Sequence, residues 1–215
     1  MPKLSGSSLS PDHANAPRRY YAPTGGLLPQ SRQPDDKAIF TTAYAVIPKS
    51  VMSDIVTSFL PHWQQTRLWV LARPLSGFAE TFSHYLVETA PTGGSNAPDD
   101  DGSAQSVLFV VAGHLRLTLD GATFDLEAGG YAYMPPGTDW QTENIGDERV
   151  LFHWIRKRYQ AVAGIDAPPA FVTSDAAITP IEMPDCDGVW ATTRFVDPAD
   201  LRHDMHVNIV TFQPG

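Results

Sequence analysis

The chain has 215 residues, of which 42% are hydrophobic, and it carries a formal net charge of −9. This length accommodates one large domain or two small ones, and the acidic balance argues against nucleic acid or an anionic membrane as a partner. No apolar run reaches the ~20 residues that a membrane-spanning helix needs, and Met1 to Gln33 lacks the apolar core of a signal peptide. We therefore expect a cytoplasmic protein, in which the single cysteine, Cys186, is structural because flanking carboxylates disfavour its thiolate.

The first part of the chain is predicted to pass from a flexible arm into β-strands. Residues 1–37 are rich in Pro, Ser, Gln and charge, a composition typical of a flexible arm. Strand-like runs follow at Ile39–Ile47, Leu68–Ala72 and Glu80–Glu88. The segment Pro91–Ala104 contains two adjacent glycines, a proline and three aspartates, so it is predicted to be a loop.

The strongest sheet signal is a hairpin centred on Asp120-Gly121. Val107–Val111 before it is apolar throughout, as expected of a strand buried on both faces. The alternation from His114 to Leu119 and the return from Ala122 to Leu126 flank a two-residue turn that favours glycine, because glycine accepts positive φ. The side chains predicted to face inward are Leu115, Leu117, Leu119, Phe124 and Leu126.

Two more strands are predicted at Tyr131–Met134 and Val150–Ile155, and helical periodicity is almost absent. Short strands separated by Gly and Pro turns indicate an all-β fold, with residues 38–160 forming an antiparallel barrel or jelly roll. The Pro-, Ala- and Asp-rich residues 161–189 are predicted to be an interdomain connection to residues 190–215. The strands expected in that last segment are Trp190–Arg194 and Met205–Phe212.

Residues from Gly129 to Asn144 resemble the second conserved motif of the cupin family, G-x5-P-x-G-x2-H-x3-N. Gly129, Pro135, Gly137 and Asn144 fall on the spacing of the motif, whereas Trp140 stands where the motif has a metal-binding histidine. The resemblance implies a cupin fold, which is a double-stranded β-helix or jelly-roll barrel.

The cupin resemblance also locates the positions where such a barrel would bind its metal. Counting back from Gly113 puts the glutamate position on Ser106 and the two histidine positions within Asp99–Gly102, where there is no histidine. A hydroxyl and an indole cannot replace the imidazole and carboxylate ligands of Mn²⁺ or Fe²⁺, so this barrel is predicted to be metal-free, with Trp140 filling the space. The run Asp99-Asp100-Asp101 could hold a hard cation such as Ca²⁺, but a solvated turn is the preferred interpretation.

Three segments together resemble the (S)-ureidoglycine aminohydrolase family: Glu127–Gly137, Arg156–Tyr159, and Asp204 to Gly215. Its members are bicupin enzymes of purine (allantoin) breakdown that release ammonia from ureidoglycine to give ureidoglycolate. The resemblance, from about Ala38 to Gly215, implies a homo-oligomeric hydrolase with a small-molecule substrate and a Mn²⁺ ion held by the second barrel. Because the metal motif of that second barrel would open at Gly215, we expect the metal ligands and catalytic residues beyond it and the 215-residue chain alone to be inactive.

His206 and Asn208 are the candidate substrate-binding residues, because they share a strand face that could point into the cavity of the second barrel. His203 and His206 are three residues apart, so on an extended chain they point to opposite sides and are not expected to share a metal. Of the other strand histidines, two are expected to be exposed and the third to lie in the core or a cavity: His114, His153 and His84, respectively.

Two alternatives to an aminohydrolase stay open at this point. Cupin barrels support many chemistries, so the chain could belong to another bicupin enzyme, such as a dioxygenase or an isomerase. It could also be a non-enzymatic cupin that binds a small molecule in a metal-free barrel.

Overall fold

The regular secondary structure of the described residues is almost entirely β-strand. This computed structural model describes residues 38–47, 56–57, 61–72 and 81–214, so the predicted arm at residues 1–37 lies outside the described residues. The strands are, in chain order, β1 (Ile39–Phe40), β2 (Ala45–Val46), β3 (Val56–Thr57), β4 (Trp63–Ala72), β5 (Phe82–Ser95), β6 (Ala104–Ala112), β7 (Leu115–Leu119), β8 (Ala122–Leu126), β9 (Gly130–Met134), β10 (Trp140–Asn144), β11 (Val150–Arg158), β12 (Phe171–Ser174), β13 (Ile181–Glu182), β14 (Trp190–Arg194) and β15 (Asn208–Phe212). One turn of 3₁₀ helix at Asp175–Ala177 is the only helical element within the described ranges, and the all-β prediction is confirmed. No helix in this part of the chain has the length and hydrophobicity to span a bilayer.

Ten of the strands form one antiparallel sheet that bends into a nearly closed barrel. Its strand order is β12-β9-β6-β11-β5-β10-β7-β8, with β4 pairing on β5 and β3 pairing on β4. The 14-residue β5 is the central strand, because it pairs with β4, β10 and β11. The β1-β2 hairpin and the three-stranded sheet β13-β14-β15 are separate from this main sheet.

A core of apolar side chains fills the inside of the barrel, and the predicted hairpin supplies much of it. Leu115, Leu117 and Leu119 of β7 are each at most 5% exposed, as predicted. The turn that follows has positive φ at both central residues, 46° at Asp120 and 84° at Gly121. This is the type I′ geometry that the Asp-Gly pair predicts.

The return strand of the hairpin only partly follows the prediction. Leu126 is buried, but Phe124 is 37% exposed, so the expectation that it packs inside is wrong. Phe124 pairs with Leu117 across the hairpin and lies on the same face. However, β8 is the last strand of the sheet order and has a neighbour only on the β7 side, so its side chains are covered from one direction only.

The predicted loop Pro91–Ala104 is partly strand. Residues 91–95 continue β5, and the loop is confined to residues 96–103. Gly94 pairs with β10, and a side chain at that position would overlap the carbonyl oxygen of Thr142. The glycine therefore marks a close approach of two strands, which the sequence pattern alone does not distinguish from a turn.

The strand-like run Ile39–Ile47 is a hairpin of two short strands rather than one strand. The Thr41 hydroxyl closes the turn by accepting hydrogen bonds from the backbone N–H groups of Ala43 at 3.1 Å and Tyr44 at 2.9 Å. The backbone N–H of Thr41 also donates to the carbonyl oxygen of Tyr44 at 2.9 Å, so the chain reverses within four residues.

The outer face of the barrel sheet carries a second core, which the C-terminal residues cover. Phe195 stacks on Tyr131 with ring centroids 4.0 Å apart and ring planes at 7°. Met205 is 8% exposed in the same cluster, and Ile209 of β15 packs against it. Because β15 pairs with β14 and not with the main sheet, the three-stranded sheet is attached to the barrel through side chains.

Polar contacts strengthen this attachment. The Lys157 ammonium donates to both the carboxylate and the backbone oxygen of Asp204, at 2.9 Å each. The Gln105 side chain donates to the same carboxylate and accepts a hydrogen bond from the Tyr133 hydroxyl at 3.0 Å.

Part of the predicted connection, residues 161–189, is also strand, since β12 pairs with β9 and β13 with β14. The division into two domains stays a prediction.

Replacing Phe195 with alanine is expected to loosen the C-terminal sheet. The side chain is 8% exposed, and truncating a buried phenylalanine costs about 3–5 kcal/mol. We expect a loss of that order in chemical denaturation and faster amide exchange in β14 and β15 than in the barrel strands. Phe212→Ala is the control, because Phe212 is 66% exposed. Equal effects of the two substitutions would show that the sheet is not docked through Phe195.

Candidate functional site

Two of the motif residues that match the cupin pattern have structural roles at the start of β9 and at the end of β10. Gly129 has a φ of 90° and donates its N–H to the backbone oxygen of Val110 at 2.9 Å. Asn144 is buried, and its side-chain amide donates to the carbonyl oxygens of Thr89 at 2.9 Å and Glu148 at 2.8 Å. The Gly129 contact fixes the entry into β9 and the Asn144 contacts hold the end of β10, whose first residue, Trp140, is buried in the barrel core.

The positions that would bind a metal in a cupin hold side chains with other partners. Trp140 is 6% exposed and packs edge-to-face on Trp154 with ring centroids 5.9 Å apart. The Ser106 hydroxyl, 2% exposed, accepts a hydrogen bond from the indole N–H of Trp154 at 3.1 Å. Among the residues that the structure describes, no three His, Cys, Asp or Glu side chains are grouped to hold a metal ion. The donor set at these positions therefore does not fit Mn²⁺ or Fe²⁺.

Restoring the missing histidine is not expected to create a metal site. Trp140→His places one imidazole beside Ser106 and a loop without histidine, and a single ligand binds divalent metals weakly. Metal analysis of the purified chain and of the variant should show no stoichiometric Mn, Fe, Zn or Ni. Trp190→His, on the C-terminal sheet, controls for adventitious binding by a new histidine. Tight binding to Trp140→His alone would mean that other ligands converge on this position.

A cavity of about 410 Å³ lies at the mouth of the barrel. We call it the barrel-mouth cavity, and the lining residues that matter here are Trp63, Tyr85, Asp99, Asp100, Trp154 and Arg156. Asp99, Asp100 and Asp101 form the segment that we call the acidic loop. A neighbouring cavity of about 240 Å³ shares these three aspartates and reaches Ser106 and Trp140. The two cavities together occupy the end of the barrel where the cupin motif positions converge.

Aromatic rings form one wall of the barrel-mouth cavity. The ring centroid of Trp154 lies 5.6 Å from that of Trp63 and 5.3 Å from that of Tyr85. The indole N–H of Trp63 donates to the carbonyl oxygen of Pro98 at 3.2 Å, which ties the aromatic wall to the acidic loop. This bond fixes the indole of Trp63, which lines the cavity.

The acidic loop forms the opposite wall, and Asp99 is its buried member. The Asp99 side chain is 7% exposed, and its Oδ1 accepts hydrogen bonds from Arg156 at 2.7 Å and from the backbone N–H of Asp101 at 2.9 Å. Its Oδ2 is buried and has no hydrogen-bond partner among the described residues. Burial raises the pKa of Asp99, although the Asp101 N–H and the Arg156 guanidinium act in the opposite direction. The solvated turn predicted for this run therefore describes Asp100, with a side chain 76% exposed, but not Asp99.

The two predicted substrate-binding residues lie away from the barrel mouth. His206 and Asn208 are both exposed on the C-terminal segment, Asn208 as the first residue of β15. His203 lies three residues earlier with a side chain 6% exposed, packed edge-to-face on Tyr133 with ring centroids 4.8 Å apart. The strand predicted at Met205–Phe212 begins only at Asn208, so His203 and His206 both precede it and do not occupy strand faces. Whether His206 and Asn208 contact a substrate stays a prediction.

The outer face of the sheet carries a pair of histidines that the sequence does not predict. His84 Nε2 and His153 Nδ1 are 2.9 Å apart, across the paired strands β5 and β11. Burial, with a smaller effect of His153, lowers the pKa of His84 to about 3, and burial lowers the pKa of His153 to about 4. The expectation that His153 is exposed is therefore wrong, whereas His114 is exposed as predicted and lies 3.4 Å from Glu127. Only the pairing of β5 with β11 brings the two rings together, and the sequence spacing carries no sign of it.

Comparison with known proteins agrees with this geometry. The family described as "Cupin domain" matches residues 85–156. The chain is 28% identical over 162 residues to the (S)-ureidoglycine aminohydrolase of Escherichia coli (strain K12), an alignment that covers 75% of this chain and 60% of that protein. Among solved structures, a putative glyoxylate-induced protein from Pseudomonas aeruginosa is 58% identical with a TM-score of 0.83, covering 93% of this chain and 72% of the other. The E. coli protein YlbA superposes with a TM-score of 0.69 at 23% identity, covering 81% and 66%, and supports the fold alone.

Together, the jelly-roll barrel, the motif residues and these similarities define the class: the chain belongs to the cupin family. Within the family, the resemblance to the (S)-ureidoglycine aminohydrolases seen in the sequence is confirmed. The chain spans 60% of the length of that curated relative, so the activity of a whole protein of this type is a matter for proposal.

Proposed function

We propose that this chain is the metal-free barrel of a ureidoglycine aminohydrolase-type bicupin of allantoin and purine catabolism. The whole enzyme would release ammonia from ureidoglycine and leave ureidoglycolate. The observation that carries the proposal is the similarity to the E. coli (S)-ureidoglycine aminohydrolase, which extends over 75% of this chain and is not limited to the short cupin motif.

The side chains at the metal positions of this barrel support the proposal that a second barrel of such an enzyme carries the chemistry. Trp140 and Ser106 are already engaged with Trp154 at the positions where a metal would be bound. The Mn²⁺ ion that the family resemblance implies would therefore be held by a second barrel, and this barrel would serve as scaffold. On this proposal His206, just before β15, and Asn208, its first residue, are both exposed and contact the substrate from the side of the second barrel.

The barrel and its C-terminal sheet also offer surfaces for assembly. Val210 and Phe212 of β15 are 47% and 66% exposed, and Ile181 of β13 is 56% exposed. Large apolar side chains grouped on one small sheet are typical of a surface covered in the assembled protein. We infer a cytoplasmic homo-oligomer that acts on a small molecule, with no nucleic-acid or membrane partner.

Ammonia release from (S)-ureidoglycine tests the proposed activity directly. We expect turnover by the full-length protein that is lost on chelation and restored by Mn²⁺, and no turnover by residues 1–215. Within the full-length protein, His206→Ala and Asn208→Ala are expected to raise KM, whereas Thr211→Ala, also exposed on β15, leaves it unchanged. Turnover by the 215-residue chain after chelation would contradict the proposal that the second barrel carries the chemistry. A full-length protein that is inactive on ureidoglycine but oxygenates or isomerises another substrate would contradict the proposed reaction.

A further inference from the structure

The barrel-mouth cavity combines an aromatic wall with a buried carboxylate oxygen that has no donor among the described residues. We propose that this cavity binds a small organic cation that carries N–H groups, of the amine or guanidinium type. The proposed site is separate from the metal chemistry of the second barrel, and it does not depend on the aminohydrolase activity.

The first argument is the unpartnered oxygen. Asp99 Oδ2 is the only carboxylate oxygen among the buried side-chain atoms that lack a hydrogen-bond partner in the described part of the chain. A buried acceptor left without a donor costs about 1–3 kcal/mol, and more when it is charged. A ligand N–H that reached this oxygen would recover that free energy. Burial raises the pKa of the Asp99 carboxyl group, as expected of a carboxylate with too little compensation.

The second argument is the charge balance of the cavity. Asp99 pairs with Arg156 at 2.7 Å, and Asp101 pairs with Arg158 at 3.3 Å. Asp100 has no such guanidinium partner in the described residues, and its closest basic group is His62 Nε2 at 3.7 Å. Three carboxylates therefore line the cavity with one guanidinium group, that of Arg156, and Arg158 pairs with Asp101 from outside the lining. One monovalent cation neutralises this excess, whereas an anion would add to it.

The third argument comes from the protein's own arginine. The Arg156 guanidinium binds Asp99 Oδ1 and lies 5.8 Å from the ring centroid of Trp154. A planar cation of the protein's own thus lies between a carboxylate and an aromatic face in the lining of the cavity. Asp99, Trp63 and Tyr85 line the same cavity, and on this proposal they bind the ligand cation with the same combination of groups.

The composition of the walls argues against a metal ion in the same place. Ca²⁺ takes six to eight oxygen ligands, but much of the lining of the barrel-mouth cavity is aromatic or aliphatic. A volume of about 410 Å³ falls in the range of small-molecule pockets. The site is thus suited to an organic cation and not to a hard metal ion.

An NMR titration of the 215-residue chain tests the proposal, with the indole N–H signals of Trp63 and Trp154 as reporters. Methylguanidinium is expected to give saturable shifts at both indoles. Tetramethylammonium, which has charge without N–H groups, and urea, which has N–H groups without charge, are each expected to bind about tenfold more weakly, since a hydrogen bond to a charged group contributes about 1.5–3 kcal/mol. Acetate and Ca²⁺ are expected to give no saturable shifts at these indoles.

Asp99→Asn is the decisive variant, and it is expected to weaken methylguanidinium binding by about tenfold or more. Asp125→Asn is the matched control, because Asp125 is an exposed carboxylate paired with Arg116 on the β7-β8 hairpin, outside the cavity. If Asp99→Asn does not fold, intermolecular NOEs between methylguanidinium and the rings of Trp63 and Trp154 in the unmodified chain decide the matter. Unchanged affinity in Asp99→Asn, equal binding of acetate, or the absence of those NOEs would overturn the proposal.

Discussion

Gly94→Ala is expected to break the pairing of β5 with β10 and to lower the free energy of unfolding by about 3 kcal/mol or more. The backbone at Gly94 has a φ of 151°, which side-chain-bearing residues rarely adopt, and a methyl group there would overlap the carbonyl oxygen and carbon of Thr142. Because the obstacle is backbone, no rotamer change relieves it, and the two strands must separate. Urea denaturation followed by tryptophan fluorescence measures the loss.

Gly121→Ala provides a matched control for that substitution. Gly121 also has a positive φ, of 84°, but a Cβ there would meet nothing within 4 Å. Its replacement carries only the conformational penalty, about 1 kcal/mol. The difference between the two variants isolates the close approach of the strands. Equal losses would show that β5 and β10 can separate at Gly94 without consequence.

Acidification from pH 6.5 to pH 4 is expected to destabilise the fold through the His84–His153 pair. An unfolded histidine titrates near 6.5, whereas burial lowers the pKa of His84 to about 3 and that of His153 to about 4. Between these values the unfolded state takes up protons that the folded state does not, so stability falls as the pH falls through 6.5. Each histidine contributes up to about 1.4 kcal/mol per pH unit, and the loss ends once the pH passes the folded pKa values.

The variant His153→Phe tests the origin of this pH dependence. It removes one titrating group from the pair and keeps a ring of similar size, so the slope of stability against pH between 6.5 and 4 should fall by about half. Burial also lowers the pKa of His203, which adds a smaller dependence of the same sign that both proteins share. Identical slopes in the parent chain and the variant would rule out the histidine pair as the cause.

The parts of the fold that can be predicted from sequence are those in which local pattern and tertiary packing agree. The alternation of Leu115, Leu117 and Leu119 specifies one buried face, and Asp120-Gly121 specifies the turn, so the hairpin follows directly. The apolar run Val107–Val111 similarly indicates a strand covered on both faces, and each of its residues is at most 8% exposed.

The sequence-based predictions are wrong where the neighbouring strand, and not the local pattern, decides the environment of a residue. Gly93 and Gly94 have the composition of a turn, but they allow neighbouring strands to approach closely within β5. Phe124 has the right alternation to be buried, but its strand is at the end of the sheet order. In both cases the outcome depends on what lies on the neighbouring strand, and a local pattern contains no information about that.

At the candidate site, too, the local pattern predicts some features, whereas others depend on tertiary packing. The motif spacing alone assigns Trp140 to a metal position, and the ring is packed in the barrel interior. The acidic run at Asp99 has the local pattern of a solvated turn, because three adjacent aspartates lie next to Gly and Pro. One of them, Asp99, is buried and paired with Arg156 of β11, which is distant in sequence and becomes a neighbour only when the barrel closes.

The central position of β5 has a consequence for how the chain is made. Its pairing with β4 forms between neighbouring segments, but its other long partner, β11, pairs Val150 with Thr89 and Lys157 with Phe82. Those partners leave the ribosome roughly 60 to 75 residues later, an interval of roughly 3 to 15 s at ordinary rates of synthesis. During that time a nascent β5 presents an open apolar edge to its surroundings. Until β11 has been made, the backbone groups on that side of β5 lack their native partner strand, and a chaperone that covers this edge would protect the chain from aggregation.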